Sequence, residues 1–507
     1  MPSQPQTRSS SRAAPVGGWN ARDALADMPE TDAIVMDNWF PSTDQIKVRP
    51  GFTSYATGIG SGAVETLMTY TSGSASKMFA CGNGGIYDVS STGAVGAAAV
   101  SSLASNRWEY VNFGTAGGAF LICVNGSDAP QIFDGTNWAA TTITGPTLNN
   151  LAWINVAQSR LLFGEKNSLK FWYMPVNTIG GAASSFDLSG TFRLGGYLAG
   201  MVTWSRDGGG GMQDLCVFMT SEGEVAVYQG IDPSSATTWA RVGTYRIGKP
   251  IGTRFAMKLA SDAAIITQDG FVQLSRVLPI DRLGAGAVSI SEKINTAVNN
   301  AIRSYGSNFG WQPLLYPKGP MLIFNIPAVY NKTAYQYVFN NITGAACRFT
   351  GMNANCWVVY KDNAYFGGTD GKVYLFDNGY YDNGNAIYAD VKPAFSYFGE
   401  TGRQKLFKMA RPVFSASGSV AVSLDMNLDF DDSISSATPS TSAPSGGTWG
   451  SAVWGIGTWA AAEAISKDWQ SVTGVGYCAT LHVRVSVGGM SLTMRSTDFV
   501  YEAGGIL

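Results

Sequence analysis

Apolar and polar positions alternate in short runs along most of this chain, and one arrangement recurs seven times between residues 65 and 380. An apolar strand leads through a tight polar turn to a second strand that usually ends in an aromatic residue and a small polar one. The second strands are GGIYDVS (Tyr87), PQIFDGT (Phe133), SLKFWYM (Trp172), GEVAVYQG (Tyr228), GFVQLSR (Leu274), YQYVFNN (Phe339) and KVYLFDNG (Phe376). Each unit also carries an upstream strand, at 65–71, 107–114, 151–157, 199–205, 253–260, 310–317 and 356–362. Most turns within the units hold the Gly-bearing pairs that close β-hairpins. The sixth is the poorest match, because its connection NIPAVYNKTA is long and carries Pro327. A period of about 45 residues with three or four strands is the range of β-propeller blades. The expected fold is therefore all-β: a propeller-like array of three- to four-stranded units, with an extended N-terminal arm and a C-terminal β region. Irregular spacing leaves six to eight units open. The alternative is a β-sandwich or barrel array. One insertion, 290–306, has Ile294, Val298 and Ile302 at helical spacing, with Ser291 placed as its cap.

The flanks follow other patterns. Residues 1–18 are polar and predict a flexible or partner-ordered arm. Asp23 is placed to cap a helical turn through Met28, and Thr31 or Asp32 a second one ending near Trp39. Gln45–Arg49 predicts a strand, followed by a turn at Arg49-Pro50-Gly51. After Tyr381 the chain is again strand-rich, interrupted by the low-complexity loop 438–450 and by Trp449, Trp454 and Trp459. The resulting division is 1–60, 61–380 and 381–507.

Composition narrows the function. Hydrophobic residues make up 45% of the 507, enough for a large core, and charged residues only 14% against roughly 25% in an average soluble protein. Such a surface suits extensive contact with partners. A net charge of −2 argues against a protein that grips nucleic acid through clustered cations, though not against one past which DNA slides. The six cysteines form no C-x-x-C pair and predict buried thiols in a reducing compartment. The N-terminus has no apolar signal core, and no apolar run reaches membrane-spanning length.

Little catalytic chemistry is on offer. The one histidine, His482, lies in the alternating strand LHVRVSV without a nucleophile elbow, and a strand residue is the simpler reading. Asp425, Asn427, Asp429, Asp431 and Asp432 fail the calcium-loop pattern, with Phe430 and Ser436 at the positions that need Gly and Glu. The turn acids Glu222, Glu224 and Asp269 are the available candidates for glycoside hydrolysis, but hairpin chemistry accounts for them. Gly208–Gly211 lack the Lys-Ser/Thr of a phosphate loop. No cofactor, metal or catalytic residue is expected. Arg403, Lys405, Lys408 and Arg411 form one basic run, either a guarded edge strand or a contact for DNA phosphate or an acidic partner.

The N-terminal segment adds a resemblance. Gly17, Gly18, Asn20, Met28, Pro29, Asp37, Asn38, Phe40, Pro41, Arg49, Gly51 and Phe52 resemble the opening of tail proteins of short-tailed bacteriophages. FKMARPVFSASG, the Trp-Gly-rich loop and the closing YEAGGIL resemble the far end of the same group. The closest type is the tail nozzle, or tail tubular protein B. The resemblance implies a non-enzymatic virion protein, assembled in the host cytoplasm as a hexameric ring that conducts and gates genome DNA during ejection. Its implied partners are the tail adaptor, fibre or spike proteins, double-stranded DNA in the lumen and the host surface. Trp19, Asn20, Asp37, Asn38, Trp39 and Phe40 are the candidate inter-subunit docking residues, and Gly- and Thr-rich hairpin tips with the 206–213 loop the candidate gates. The chain is shorter than large nozzle proteins, so fibre-binding insertions are expected to be missing. A receptor-binding propeller for host glycans is the alternative. A polysaccharide-degrading propeller is the third reading.

Overall fold

The computed structural model describes residues 7–73, 75–207, 212–279, 288–433, 439–442 and 463–504. Trp449, Trp454 and Trp459 lie outside them, as do residues 208–211 of the expected gate loop. Seven strands, Thr66–Ser72, Glu109–Thr115, Leu151–Ala157, Leu198–Asp207, Ala256–Leu259, Gln312–Leu315 and Cys356–Tyr360, form a closed circle in which each packs on the next and the last on the first. Each leads outward through antiparallel hairpins into two further strands. The chain is thus a β-propeller. Six of its units are separate small sheets, and the remaining one, the sixth, is part of a ten-stranded sheet.

Local chemistry explains the hairpins. Asn83 and Gly84 both take positive φ, 49° and 69°, the mirror-image turn whose twist matches the strands it joins. The aromatic ends of the second strands fill the wedges between units. Phe133 meets Tyr70, Phe79 and Trp138 at 4.9–5.3 Å between ring centres. Burying one such ring stabilises by about 1.5–3 kcal/mol. The sixth hairpin is regular after all: Met321–Val329 pairs with Thr333–Asn340, and a register shift between Ile326 and Val329 absorbs Pro327.

Phe52–Thr57 precedes the ring in sequence yet pairs with Val373–Phe376 as the outer strand of the seventh unit, which ties the two ends of the circle together. The sixth unit does not end at an edge. Its last strand, Ala346–Phe349, touches Asp32–Asp37, and the sheet continues through Ile387–Pro393, Ala479–Val487 and Val422–Leu428. A second, seven-stranded sheet is built on Lys405–Ala416 and Leu492–Ala503. Phe407, Phe414, Leu492 and Phe499 of that sheet share one core with Ile387, Val391, Leu481 and Val483 of the first.

Four expectations change. Asp32–Asp37 and Trp39–Pro41 are strands where a capped helix was expected. Ala33 and Met36 are buried on this run, and pairing with Ile387–Pro393 outweighs the local cap signal. No helix forms between Asp23 and Met28. Thr7–Ala13 of the arm lies along Ser496–Glu502 of its own chain. The helix Asn295–Tyr305 is present with Val298 and Ile302 buried, but the Ser291 hydroxyl accepts the Phe271 N–H at 3.1 Å and does not cap it.

Candidate functional site: the propeller channel and its junction

The seven inner strands enclose a channel of about 470 Å³, lined by Glu109, Tyr110, Trp153, Asn155, Met201, Arg254, Gln312 and Trp357 among others. Its polar groups are engaged with one another. Arg254, leading into the fifth unit, donates to Thr66 Oγ1 at 2.7 Å, to the Trp108 carbonyl at 2.9 Å and to Glu109 at 3.2 Å. One guanidinium therefore joins the fifth unit to the first and second. Arg254 and Arg107 both lie over the Phe309 ring, at 5.1 and 4.5 Å, and Arg107 also holds Glu65 at 3.0 Å. Burial raises the Glu109 carboxyl above its ordinary range, with Arg254 opposing. Gln312 exchanges hydrogen bonds with the Trp357 backbone, at 2.8 and 3.0 Å. These groups brace one unit against another.

The second cluster joins propeller to sandwich, and it holds the residues that carry the resemblance. Arg49 is fully buried. It donates to Asp382 through Nη1 (2.8 Å) and Nη2 (2.5 Å), to the Thr350 carbonyl at 2.7 Å and to Asn38 Oδ1 at 2.7 Å. Asn38, at φ 59°, uses its amide on Thr350 Oγ1 and the Tyr388 carbonyl. Asp37 accepts from Arg348 Nε at 2.7 Å, and burial raises its carboxyl against the pull of that cation. Trp19 packs on Tyr337 at 5.4 Å, with Arg348 over its face. Asn20 donates to Asp32, which Lys293 neutralises at 2.9 Å. Two glycines are required by close approach. A Cβ at Gly51 would lie 2.1 Å from the Tyr381 carbonyl oxygen, and one at Gly18, φ +83°, 2.6 Å from the Ala346 backbone.

The candidate docking residues therefore work inside the chain. Trp39 is fully buried, and Asn20, Asn38 and Phe40 are buried as well, which leaves them no surface for a neighbouring subunit. The basic run is also largely consumed. Lys405 is buried and donates to the carbonyls of Glu400, Arg403 and Tyr477 at 2.5–3.0 Å. Lys408 pairs with Glu502, and Arg411 with Asp498 at 2.6 Å while stacking on Trp469. Among the described residues, Arg403 alone of the four makes no side-chain hydrogen bond or ion pair, and it acts on Glu400 only at longer range. Patterning did not foresee this, because Tyr477, Asp498 and Glu502 lie more than 70 residues away in sequence.

The other candidates have structural positions too. His482 is fully buried against Asp390. Asp429 accepts the Tyr477 and Cys478 N–H groups, Asp431 accepts from Ser433, and Asp432 holds Lys392. Among the described residues no three His, Cys, Asp or Glu side chains converge on a metal-sized site. Glu224 accepts the backbone N–H groups of Arg193 and Leu194, and Glu222 pairs with Lys249. All six thiols are buried and free, and burial pushes Cys216 and Cys356 up to about 12.

No protein-family profile and no curated protein matches the chain. Among solved structures it is similar to the computationally designed Ika8 protein, with 8% identity and a TM-score of 0.37 over 64% of this chain and 99% of that one. It is also similar to BBS1N, solved in complex with ARL6DN, with 10% identity and a TM-score of 0.40 over 65% of this chain and 98% of that one.

Proposed function

We propose that this chain is a non-enzymatic structural subunit of a virus particle, the nozzle of a short phage tail, acting as a ring that conducts DNA. The observation that carries the reading is the junction. The residues that resemble the nozzle opening, Gly18, Asn20, Asp37, Asn38, Arg49 and Gly51, form a buried network joining the propeller to the sandwich. A segment of that kind builds a stiff body, which suits a part that bears load. The propeller's own channel is crossed by Arg254 and Glu109, so in this reading the DNA path is formed between copies of the chain. The paired state of Lys408 and Arg411 fits a surface that lets phosphate pass without holding it. Electron microscopy of the assembled protein tests the reading. A six-fold ring with an axial opening is the expected image, and a monomer or a solid trimer in the assembled particle overturns it.

A further inference from the structure

The outer edges of the propeller units are not alike. Units two and three end in strands of three and four residues, Trp138–Ala140 and Ser184–Asp187. The outer strand of unit one is bridged at Ile86 by Val100, and that of unit seven is covered in part by Gly93–Ala94. Unit six runs on into the sandwich, and the helix packs beside unit five. Unit four is the exception. Its outer strand Ala240–Arg246 is seven residues long, pairs with Glu224–Gln229 on one side and has no described strand on the other. Its residues are exposed on both faces, apart from a half-buried Gly243.

Natural sheets blunt open edges by shortening them or by loading them with charge. The arginines here would satisfy that rule, but the apolar groups would not. Val242 is 48% exposed and Tyr245 36%. Exposed Tyr and Arg side by side are the composition of an interface core.

The charges choose the partner. Arg193, Arg241 and Arg246 are exposed, and none has a carboxylate or other acceptor within bonding distance among the described residues. Arg107, Arg160, Arg254 and Arg348 of the same propeller each hold one. Arg246 stands opposite Glu224, and Arg241 opposite Tyr228 with a register shift between them, so both project from the same face of the strand. Glu224 is already engaged by the Arg193 and Leu194 N–H groups.

We propose that Ala240–Arg246 is a docking edge for an extended acidic segment of a partner protein, which adds to the fourth unit as a further strand. Main-chain hydrogen bonds supply the pairing, Arg241 and Arg246 meet carboxylates on one face, and Tyr245 covers an apolar residue on the other. The site holds whether or not the chain forms a ring.

The test uses the full chain and a fluorescein-labelled peptide of alternating Glu and Val, seven residues long, followed by anisotropy at low salt. Saturable binding is expected, weakened at least about tenfold in Arg241→Glu/Arg246→Glu and severalfold in the milder Arg241→Ala. Circular dichroism checks that the variants remain folded. A Lys-Val peptide is expected not to bind, and a Glu-Val peptide N-methylated along one edge to lose most of its affinity. Equal binding of the N-methylated peptide, or of the Lys-Val peptide, overturns strand addition by an acidic segment. So does the absence of saturable binding. Displacement by a short DNA duplex at lower concentration than by unlabelled peptide assigns the arginines to nucleic acid and overturns the proposal in that form.

Discussion

The propeller and the junction are held together by different kinds of contact. Within the propeller, strands pair with their sequence neighbours through short turns, and Lys77–Asp88 in the first unit is one such local pair: cross-strand, both partners about 40% exposed, 11 residues apart. At the junction, Arg49 meets Asp382 across 333 residues with no exposed surface of its own. Local pairs are cheap to form and cheap to lose. A buried cation that has given up water depends on every one of its acceptors. The difference locates the fragile part of the molecule in its junction, although most of its mass is propeller.

The largest effect is expected from Arg49→Met. It takes the guanidinium donors away from the Asp382 carboxylate, the Thr350 carbonyl and Asn38 Oδ1, which keeps only the Thr350 N–H, a loss of about 3–5 kcal/mol. Chemical unfolding followed by tryptophan fluorescence measures it. Lys77→Ala is the matched control in the propeller, expected below about 1 kcal/mol. Equal losses would erase the comparison. Gly51→Ala comes next, because the new methyl meets the Tyr381 carbonyl oxygen at 2.1 Å and the backbone must shift, at about 1–3 kcal/mol. A drop in melting temperature checks it, and an unchanged one shows that the junction is softer than its geometry.

The basic run sharpens the comparison within one strand. Lys405→Met strands three carbonyls and is expected to cost about 1–3 kcal/mol. Arg403→Ala removes a side chain that makes no hydrogen bond or ion pair among the described residues, and is expected within about 0.5 kcal/mol of wild type. The same urea titration separates the two, and a larger loss for Arg403 contradicts the assignment of partners.

How far the sequence announced these regions follows from the same contrast. The seven inner strands, their hairpins and the helix with Val298 and Ile302 stood out because each is set by residues within a few positions. Asp32–Asp37 reads as a helix because its cap signal is local, whereas the strands on its two sides in the sheet, Ala346–Phe349 and Ile387–Pro393, lie more than 300 residues away. Arg49, Asn38 and Gly51 could be singled out only as motif residues. Nothing near them names Asp382, Thr350 or Tyr381. Lys405 reads as surface charge although two of its acceptors, the Glu400 and Arg403 carbonyls, are local, because the third, Tyr477, is 72 residues distant. The edge at Ala240–Arg246 left no trace in the pattern, because an unpaired outer strand and a paired one alternate alike.

A small, pH-dependent effect concerns the channel, where a long-range pair sits inside the locally built region. Glu109 is held by Arg254 yet raised by burial. Its folded form therefore keeps a proton over a window just above the carboxyl's ordinary range, where the unfolded chain has lost it. In that window the folded state binds more protons, so stability from this group falls as pH rises. Glu109→Gln removes that slope. Arg254 keeps Thr66 and the Glu65 and Trp108 carbonyls, so the change at neutral pH is expected below about 1 kcal/mol. Urea midpoints for wild type and variant at several pH values between 5 and 8 isolate the group by difference. The wild type is expected to lose more stability than the variant as pH rises. A difference of the opposite sign means that Arg254 outweighs burial, and that the channel braces the units through charge as strongly as the junction does.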